Sequence, residues 1–355
     1  AGGSYGPSMR KSALAVVEAV NAAGGLLGQQ IELTSGDTQT SPEAAVRAAR
    51  KLIDVDQAMA IVGTWASSVT TAVAPLCWES KTMLACVSGA DSITRLPHQG
   101  FIIRTQPVAA LQITEVTRFI LSDGAKKLAW IGPQTPFAQT SIDIMTEVAA
   151  AAGKPVEGLI YEADKATYRS EVDKIMRGKP DYLMLGGYTP DSIVVLRDLY
   201  RAGFEGTILG PAYAVNRKLL DALPHEVTQD VRTYAPSPDI NSSAYKRVQA
   251  IHGIDDVDPY TTQVYDHATL MVLAAQAAGQ ANGAAMRDAM RSISQGEGVA
   301  VDNAVDGIKL LSAGKAINYA GASGPCDFNK IGDISSATFR FNKVNKGQFE
   351  LLTVV

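Results

Sequence analysis

Hydroxyl side chains are concentrated in one stretch of the sequence, directly after an apolar run. Residues 59–62 are apolar, Gly63 breaks the run, and an alanine- and valine-rich helical pattern follows. The hydroxyl residues of this stretch are Thr64, Ser67, Ser68, Thr70 and Thr71. The pattern predicts a buried parallel strand, a tight turn and the N-terminus of a helix. The free N–H groups and positive dipole end of such a terminus, with the hydroxyls of Ser67 and Ser68, would bind a carboxylate well.

Motifs for covalent or metal chemistry are weak in this chain. Gly2-Gly3-Ser4-Tyr5-Gly6 matches the nucleophile-elbow pattern, but that motif needs a strand directly before its serine, and no strand pattern precedes Ser4. No glycine-rich phosphate-binding fingerprint is present. The four histidines lack the spacing of metal ligands, being His98, His225, His252 and His267. We therefore expect no catalytic residue, no metal and no cofactor.

Length and composition favour a two-lobed globular protein and disfavour several partners. At 355 residues the chain exceeds what one hydrophobic core usually supports. A hydrophobic content of 46% and a charged content of 19% are ordinary for such proteins. The net charge is −4 and no basic run occurs, so nucleic acid and anionic membranes are poor partners. No apolar stretch reaches the roughly 18 residues that a membrane-spanning helix needs.

The start of the sequence and its cysteines leave alternatives open. Cys77, Cys86 and Cys326 allow one disulfide with a free thiol, or three buried thiols. No signal-peptide pattern opens the sequence, which fits either a cytosolic protein or an export product that has been processed. The first helical pattern has no strand before it, so we expect a first strand upstream and a disordered or missing N-terminus.

Strand and helix patterns alternate along most of the chain, which predicts the α/β class. Up to residue 105 the patterns predict helices at 8–23 and 41–53 and strands at 31–34, 59–62, 83–87 and 101–105. A second sheet is predicted by helices at 108–122, 137–152, 168–178 and 190–202 and strands at 128–131, 158–162, 182–185 and 207–209. Three or four helices follow between 242 and 313. The alternating tail 335–355, around Asn345-Lys346-Gly347, predicts a β-hairpin.

Aromatic and hydroxyl residues recur just beyond the C-terminal ends of the predicted strands, where open α/β sheets bind ligands. These residues are Tyr5, Trp65, Ser67, Ser68, Ser88, Phe137, Tyr188 and Tyr213. Each alone could equally be a packed aromatic side chain or a helix cap. A cleft between two lobes would bring all of them together, so their joint placement favours a binding site.

Six stretches of the sequence carry a family resemblance. They are NAAGGLLGQQIEL (21–33), SPEAAVRAARKLI (41–53), AIVGTWASSVTTAVAPL (60–76), 181–204, TTQVYDHATL (261–270) and YAGASGPCDFNKIGD (319–333). In type and order they resemble the substrate-binding proteins of branched-chain amino-acid ABC transporters, which have the type I periplasmic-binding-protein fold. The resemblance extends over nearly the whole chain.

The resemblance implies two Rossmann-like α/β lobes joined by three crossovers, closing on ligand like a Venus flytrap. Breaks marked by proline or glycine place the crossovers near residues 106, 235 and 326. Lobe one would combine residues 1–106 and 235–326. Lobe two would combine residues 107–234 and 327–355.

The resemblance also implies a ligand site. The family's carboxylate-binding serine corresponds to Ser67, next to Ser68, and its loop that offers a carbonyl and a threonine corresponds to Ser88, Gly89 and Ala90, without the threonine hydroxyl. Three tyrosines of the family correspond to Tyr5, Phe137 and Tyr188. The glutamate that pairs with the α-ammonium of amino acids corresponds to Ala212, which Tyr213 follows.

The loss of this glutamate changes the expected ligand. A buried ammonium without an acidic partner costs several kcal/mol, so we expect a carboxylic acid without an α-amine. The rings of Phe137, Tyr188 and Tyr213 favour an aromatic or otherwise apolar body. The alternative is an amino acid or amide whose amine is bound by Asp91.

The partners implied by the resemblance are a small carboxylate or amino-acid ligand and a membrane ABC permease. The expected protein is an exported monomer, periplasmic or extracytoplasmic. Two other classes stay open, namely a ligand-sensing domain of a signalling system and a hydrolase that uses Ser4.

Overall fold

The computed structural model describes residues 5–355, which form two compact units. The larger unit contains residues 5–108 and 237–337, and the smaller contains 109–236 and 338–355. The chain thus passes from one unit to the other three times. The last passage follows Ala337 rather than residue 326, because residues 327–337 are held in the larger unit, where Asp333 is bonded to Arg104.

The first part of the larger unit contains a small parallel sheet with helices. In chain order it comprises α1 (Gly6–Ala22), α2 (Pro42–Arg50), β1 (Ala60–Thr64), α3 (Ser67–Glu79), β2 (Met83–Cys86) and β3 (Ile102–Arg104). The strand order is β1-β2-β3, and both pairs are parallel. The register of β1 shifts between Val62 and Thr64, at Gly63, whose φ of +85° suits glycine.

The predicted strand at 31–34 is wrong. Its backbone is bonded to a side chain of α1 instead of to a neighbouring strand. The Asn21 side chain accepts from the N–H of Ile31 at 2.8 Å and donates to its carbonyl, also at 2.8 Å. Both backbone groups of Ile31 are therefore used before a strand ladder could form.

The helix predicted at 41–53 begins where expected, at Ser41, but its regular part ends before residue 53. The Ser41 hydroxyl accepts from the N–H of Ala44, and Pro42 occupies the first turn. The regular helix α2 ends at Arg50, and Lys51–Val55 form a wider π-helical turn.

The smaller unit begins with regular β/α alternation. Its elements are α4 (Ala109–Ser122), β4 (Leu128–Pro133), α5 (Pro136–Ala151), β5 (Val156–Tyr161), α6 (Arg169–Gly178), β6 (Tyr182–Leu185), α7 (Thr189–Arg201), β7 (Thr207–Pro211), α8 (Arg217–Ala222), α9 (His225–Thr228) and β8 (Arg232–Ser237). Each predicted helix and strand between residues 108 and 209 is present within a few residues. Strand β8 was not predicted, because Pro236 made this segment resemble a linker.

Residues 237–337 return to the larger unit. They form α10 (Ser243–His252), α11 (Pro259–Ala278), α12 (Gly283–Ala289), β9 (Val299–Val301), α13 (Ala304–Ser312), β10 (Ile317–Gly321) and β11 (Gly324–Pro325). The three strands form a sheet of order β11-β10-β9 that the sequence did not predict. Helix α11 is buried from Pro259 to Ala275, so it forms the centre of this unit. No helix within residues 5–355 has the length and apolarity to cross a membrane.

The chain ends in the predicted hairpin, β12 (Thr338–Asn345) and β13 (Gln348–Val354). Lys346 and Gly347 turn with φ of +47° and +72°, as a tight hairpin requires. The hairpin completes a seven-stranded sheet of order β13-β12-β8-β7-β6-β4-β5. The pairs from β5 through β8 are parallel.

The centre of the seven-stranded sheet predicts a stability effect. A Cβ on Gly186 would lie 1.9 Å from Cζ2 of the fully buried Trp130 ring. We expect Gly186→Ala to lower the free energy of unfolding by about 1–3 kcal/mol, because the ring has to move within a packed core. Gly6→Ala is the control, since a Cβ there has no heavy atom within 4 Å. Urea unfolding measures both, and equal midpoints for the two variants would contradict this packing.

Candidate functional site

Helix α3 begins without a side-chain cap. Ala66 is its N-cap residue, with φ of −71° and ψ of 135°, and no side chain within residues 5–355 caps this end. By contrast, the hydroxyls of Ser41 and Thr135 cap α2 and α5. The first-turn N–H groups of an α-helix have no intrahelical acceptor, and the helix dipole adds positive potential there. This end of α3 can therefore bind an anion.

Ser67, the first residue of α3, is oriented by the loop after β2. Its Oγ accepts a hydrogen bond from the N–H of Ala90 at 3.2 Å, and the residue is 8% exposed. Because the oxygen accepts here, the hydroxyl proton is directed away from Ala90 and can be donated to a ligand. Ser68 beside it is half-buried. The structure thus brings together Ser67 and Ala90, as expected for one site.

Ser88 connects this loop to the end of β1. It is 1% exposed, its hydroxyl donates to the carbonyl of Trp65 at 2.8 Å, and its Oγ lies 2.5 Å from Oγ1 of Thr70. Its hydroxyl is therefore used inside the protein. Ser88 connects the end of β2 to α3 through Thr70. Its side chain was predicted to contact the ligand, and the structure shows it bonded to other protein groups instead.

The backbone of the loop formed by residues 88–90 is held by a buried guanidinium. Arg104, the last residue of β3, is fully buried and donates through Nη1 to the carbonyls of Ser88, at 3.0 Å, and Ala90, at 2.7 Å. Its Nε donates to Asp333 Oδ1 at 2.5 Å. Sequence patterns did not identify Arg104, because its acidic partner Asp333 is 229 residues away along the chain.

Tyr5, Trp65 and Tyr260 form an aromatic cluster in the larger unit. The ring centroids lie 5.6 Å apart for Tyr5 and Trp65, 5.0 Å for Tyr5 and Tyr260, and 5.6 Å for Trp65 and Tyr260. At these separations the rings pack on one another and present a common apolar surface. Tyr260 was missed from the sequence, although Asp258-Pro259 directly before it is a helix-start signal that places it in the first turn of α11.

Asp91, the alternative amine partner, is buried beside the loop. It is 7% exposed, and its Oδ2 lies 3.5 Å from Nη2 of Arg95. The Arg95 side chain is 73% exposed, so this ion pair is a weak one.

The remaining predicted residues lie in the smaller unit. Tyr188 precedes α7 and lies 6.0 Å from the ring of Tyr213, and burial raises the pKa of Tyr188 to about 12. Phe137, in the first turn of α5, is half-buried. Ala212 follows β7 and donates its N–H to the carbonyl of Tyr234 at 2.8 Å. The structure therefore brings Tyr188 and Tyr213 together, and position 212 carries no side-chain charge.

Groups for metal chemistry are not assembled in the described part of the chain. Residues 5–355 contain no cluster of three His, Cys, Asp or Glu side chains that could hold a metal ion. Cys77, Cys86 and Cys326 are buried free thiols, and burial raises the pKa of Cys77 to about 12. The sequence had left open one disulfide with a free thiol or three buried thiols, and the structure has three buried thiols. Ser4, the nucleophile of the elbow hypothesis, lies outside the described residues.

A buried histidine, His267, contacts Thr105, the residue that follows β3 and Arg104. The Nε2 of His267, on α11, is 2.9 Å from Oγ1 of Thr105. His267 is fully buried, and loss of hydration lowers its pKa to about 3. The imidazole is therefore neutral in the folded protein at ordinary pH.

Comparisons with known proteins agree with this fold. The model of the family described as periplasmic binding protein matches residues 1–309. The chemotactic signal transduction system substrate-binding protein BasB of Halobacterium salinarum is 26% identical over 324 residues, covering 88% of this chain and 76% of the relative. The family resemblance seen in the sequence motifs is confirmed.

Solved structures of ligand-binding proteins share the fold. A leucine-binding protein from Thermotoga maritima superposes with a TM-score of 0.83 at 19% identity, over 99% of this chain and 94% of that chain. A solute-binding protein of an ABC transporter from R. palustris, in complex with benzoate, has a TM-score of 0.78 at 18% identity, over 98% and 91%. The predicted type I periplasmic-binding-protein fold is thus confirmed.

The burial of His267 predicts a pH dependence of stability. The unfolded chain binds a proton near pH 6.5 and the folded chain only near pH 3, so this contribution is complete above pH 6.5 and is lost as the pH falls toward 3. We expect the stability advantage of the wild type over His267→Gln to shrink by about 2–3 kcal/mol between pH 7.5 and 4.5. Urea unfolding at four pH values measures this. The control is His225→Gln, since His225 is exposed. If the free energy of unfolding of His267→Gln changed with pH in parallel with that of the wild type, the lowered pKa of His267 would be contradicted.

Proposed function

The chain belongs to the periplasmic binding protein family, and we propose that it captures a small carboxylic acid without an α-amine and delivers it to a membrane ABC permease. Members of this family are ligand-binding components of transport, so the protein is not an enzyme. The favoured ligand has an aromatic or otherwise apolar body. We place the protein outside the cytoplasm, periplasmic or extracytoplasmic, as a monomer without a nucleic-acid partner.

The observation that carries this proposal is the first turn of α3. Its N–H groups have no side-chain cap, and the Ser67 hydroxyl beside them is oriented so that it can donate. A carboxylate is the small anion that this set of donors suits. Hydrogen bonds to an ionised acceptor contribute about 1.5–3 kcal/mol each, which is enough to decide affinity.

The apolar body of the ligand is supported by the rings next to this turn. Trp65 immediately precedes the cap residue Ala66, and it packs with Tyr5 and Tyr260. A ligand whose carboxylate lies on the first turn would have its body near these rings. Phe137 and Tyr188 are proposed as further contacts, since they correspond to ligand-binding positions of the family. Tyr213 is added because it follows position 212 and its ring lies near that of Tyr188.

The absence of an amine in the ligand is supported by the charges around these donors. Position 212, where the family resemblance calls for a glutamate, carries alanine. The carbonyls of Ser88 and Ala90 already accept from Arg104, so a ligand ammonium would have to compete for them. Two of the similar structures are a leucine-binding protein and a complex with benzoate. Leucine and benzoate both have a carboxylate and an apolar body, and only leucine has an α-amine.

A sensing role is the second candidate, because one relative is named for chemotactic signal transduction. The same ligand capture would then be reported to a signalling partner instead of a permease. A deletion strain separates the two roles. Loss of labelled-ligand uptake supports transport, and loss of movement toward the ligand with normal uptake supports sensing.

The proposed ligand class is tested with matched pairs that differ only in the α-amine. We expect 3-phenylpropanoate, 4-methylpentanoate and benzoate to raise the melting temperature, because a ligand that binds only the native state stabilises it. Phenylalanine and leucine, the α-amino forms of the first two acids, should change the melting temperature little or not at all. Thermal-shift screening followed by calorimetry provides the measurement. Shifts with leucine and phenylalanine that exceed those with their acids would overturn the proposal, and loss of these shifts in Asp91→Asn would assign the amine to Asp91.

The carboxylate donor is tested by Ser67→Ala. We expect the dissociation constant of the best acid to rise about tenfold to a hundredfold, as loss of a hydrogen bond to a charged group predicts. Ser80→Ala is the matched control, since Ser80 lies at the other end of α3 and is exposed. An equal affinity of the Ser67→Ala and Ser80→Ala variants would exclude Ser67 from the site.

A further inference from the structure

Arg104 donates hydrogen bonds to four acceptors of the larger unit. Nε donates to Asp333 Oδ1, and Nη1 donates to the carbonyls of Ser88 and Ala90. Nη2 donates to Thr94 Oγ1 at 2.7 Å, and this hydroxyl in turn donates to Asp333 Oδ2 at 3.1 Å. Every nitrogen of the fully buried guanidinium therefore has an acceptor within the larger unit.

A buried ion pair of this kind contributes little net stability. Removing two charges from water costs several kcal/mol for each, and well-packed apolar residues of the same volume often serve stability equally well. A planar guanidinium does supply fixed directions for its donors. The contribution of Arg104 is therefore geometric, and its geometry is directed at the loop of residues 88–90.

The first effect is on the two carbonyls of the loop. The oxygens of Ser88 and Ala90 both point at Nη1, at 3.0 and 2.7 Å. A ligand ammonium would have to share these oxygens with a cation that is already bound to them. The loop is thereby poor at binding an amine, even though its backbone is rich in acceptors.

The second effect is on the N–H side of the same loop. With its carbonyl held by Arg104, Ala90 directs its N–H to Oγ of Ser67 at 3.2 Å. That bond occupies an acceptor position of the hydroxyl, so the Ser67 proton is available for donation. Arg104 thus acts on Ser67 through the peptide groups of Ala90, without touching the ligand.

We propose that Arg104 is a positioning residue that sets the hydrogen-bond polarity of the site, so that it donates to a carboxylate and does not accept from an α-ammonium. This inference rests on the function proposed above and extends it to selectivity. Arg104 binds no ligand atom. Its effect is the orientation of the 88–90 loop and, through that loop, of the Ser67 hydroxyl.

The test compares the acid 3-phenylpropanoate with its α-amino form, phenylalanine, by calorimetry. Arg104→Lys keeps the charge but cannot bond Asp333 and both carbonyls together. We expect its dissociation constant for 3-phenylpropanoate to rise about tenfold or more, the loss typical of one charge-assisted hydrogen bond. The preference for the acid over phenylalanine should narrow, because the released carbonyls can accept from an amine. A purely structural role would leave this preference unchanged.

Two further variants control for general damage. Arg247→Lys makes the same change at another ion pair of the larger unit, where Arg247 binds Asp302, and should keep the wild-type preference. The double variant Arg104→Gln/Asp333→Asn removes both buried charges together, so neither is left without its partner if Arg104→Lys fails to fold. It should narrow the preference in the same way.

Amide hydrogen exchange separates failure of this inference from failure of the proposed function. We expect the Ala90 amide to exchange faster in Arg104→Lys than in wild type and Arg247→Lys, with no ligand present. An unchanged Ala90 rate, or an unchanged acid preference in both Arg104 variants, overturns the positioning role. If wild type itself prefers phenylalanine while the Ala90 rate changes as expected, the proposed ligand class is wrong and the loop geometry set by Arg104 stands.

Discussion

One buried cation connects three segments of the larger unit. The guanidinium of Arg104 is fully buried and has five N–H donors and no acceptor, so its donors need acceptors inside the protein. Asp333 pairs with it, and two peptide carbonyls and a hydroxyl also accept from it. The end of β3, the 88–90 loop and the segment around Asp333 are consequently bonded to one another. The first turn of α3 receives its orientation from that arrangement through Ala90 and Ser67.

Helix starts in this protein divide into two kinds. The helices α2, α5, α10 and α11 begin with a side chain that accepts from their first turn, from Ser41, Thr135, Ser242 and Asp258. Helices α1, α3, α6, α7 and α9 begin without such an acceptor, at Tyr5, Ala66, Tyr168, Tyr188 and Pro224. Among these starts, that of α3 lies beside Ser67, to which the family resemblance assigns the ligand carboxylate. An anion bound to this first turn would contribute what a capping residue otherwise does, about 1 kcal/mol.

Features of this structure that depend on a few neighbouring residues could be predicted from the sequence. Most features that depend on contacts between distant residues could not. Periodicity located the β/α units of the smaller unit, and Asn345-Lys346-Gly347 located the hairpin, because both signals are encoded within a few residues. Residues 31–34 had the composition of a strand, yet the Asn21 side chain bonds the backbone N–H and carbonyl of Ile31. Strands β9, β10 and β11 are too short for a periodic signal.

The candidate site shows the same division. Ser67 and its helix start were found from a local pattern, and Ala90 came from the family resemblance. Arg104 and Asp333 are 229 residues apart in sequence, and no local pattern connects them. Tyr260 joins Tyr5 and Trp65 only because α11 folds beside β1, which depends on tertiary packing. The hydroxyl-rich start of α3 was thus foreseeable, and its neighbours Arg104, Asp333 and Tyr260 were not.

The discontinuous make-up of both units has a consequence for biosynthesis. Strand β8 pairs with β12, which begins at Thr338, after the whole of the 237–337 segment that belongs to the larger unit, and β3 is bonded to the distant Asp333. Neither unit can finish folding on the ribosome until nearly all of the chain has emerged, since contacts so distant in sequence form slowly. A nascent polypeptide of this design stays unfolded for longer than one whose domains are continuous, and it is available to chaperones or a translocation channel during that interval.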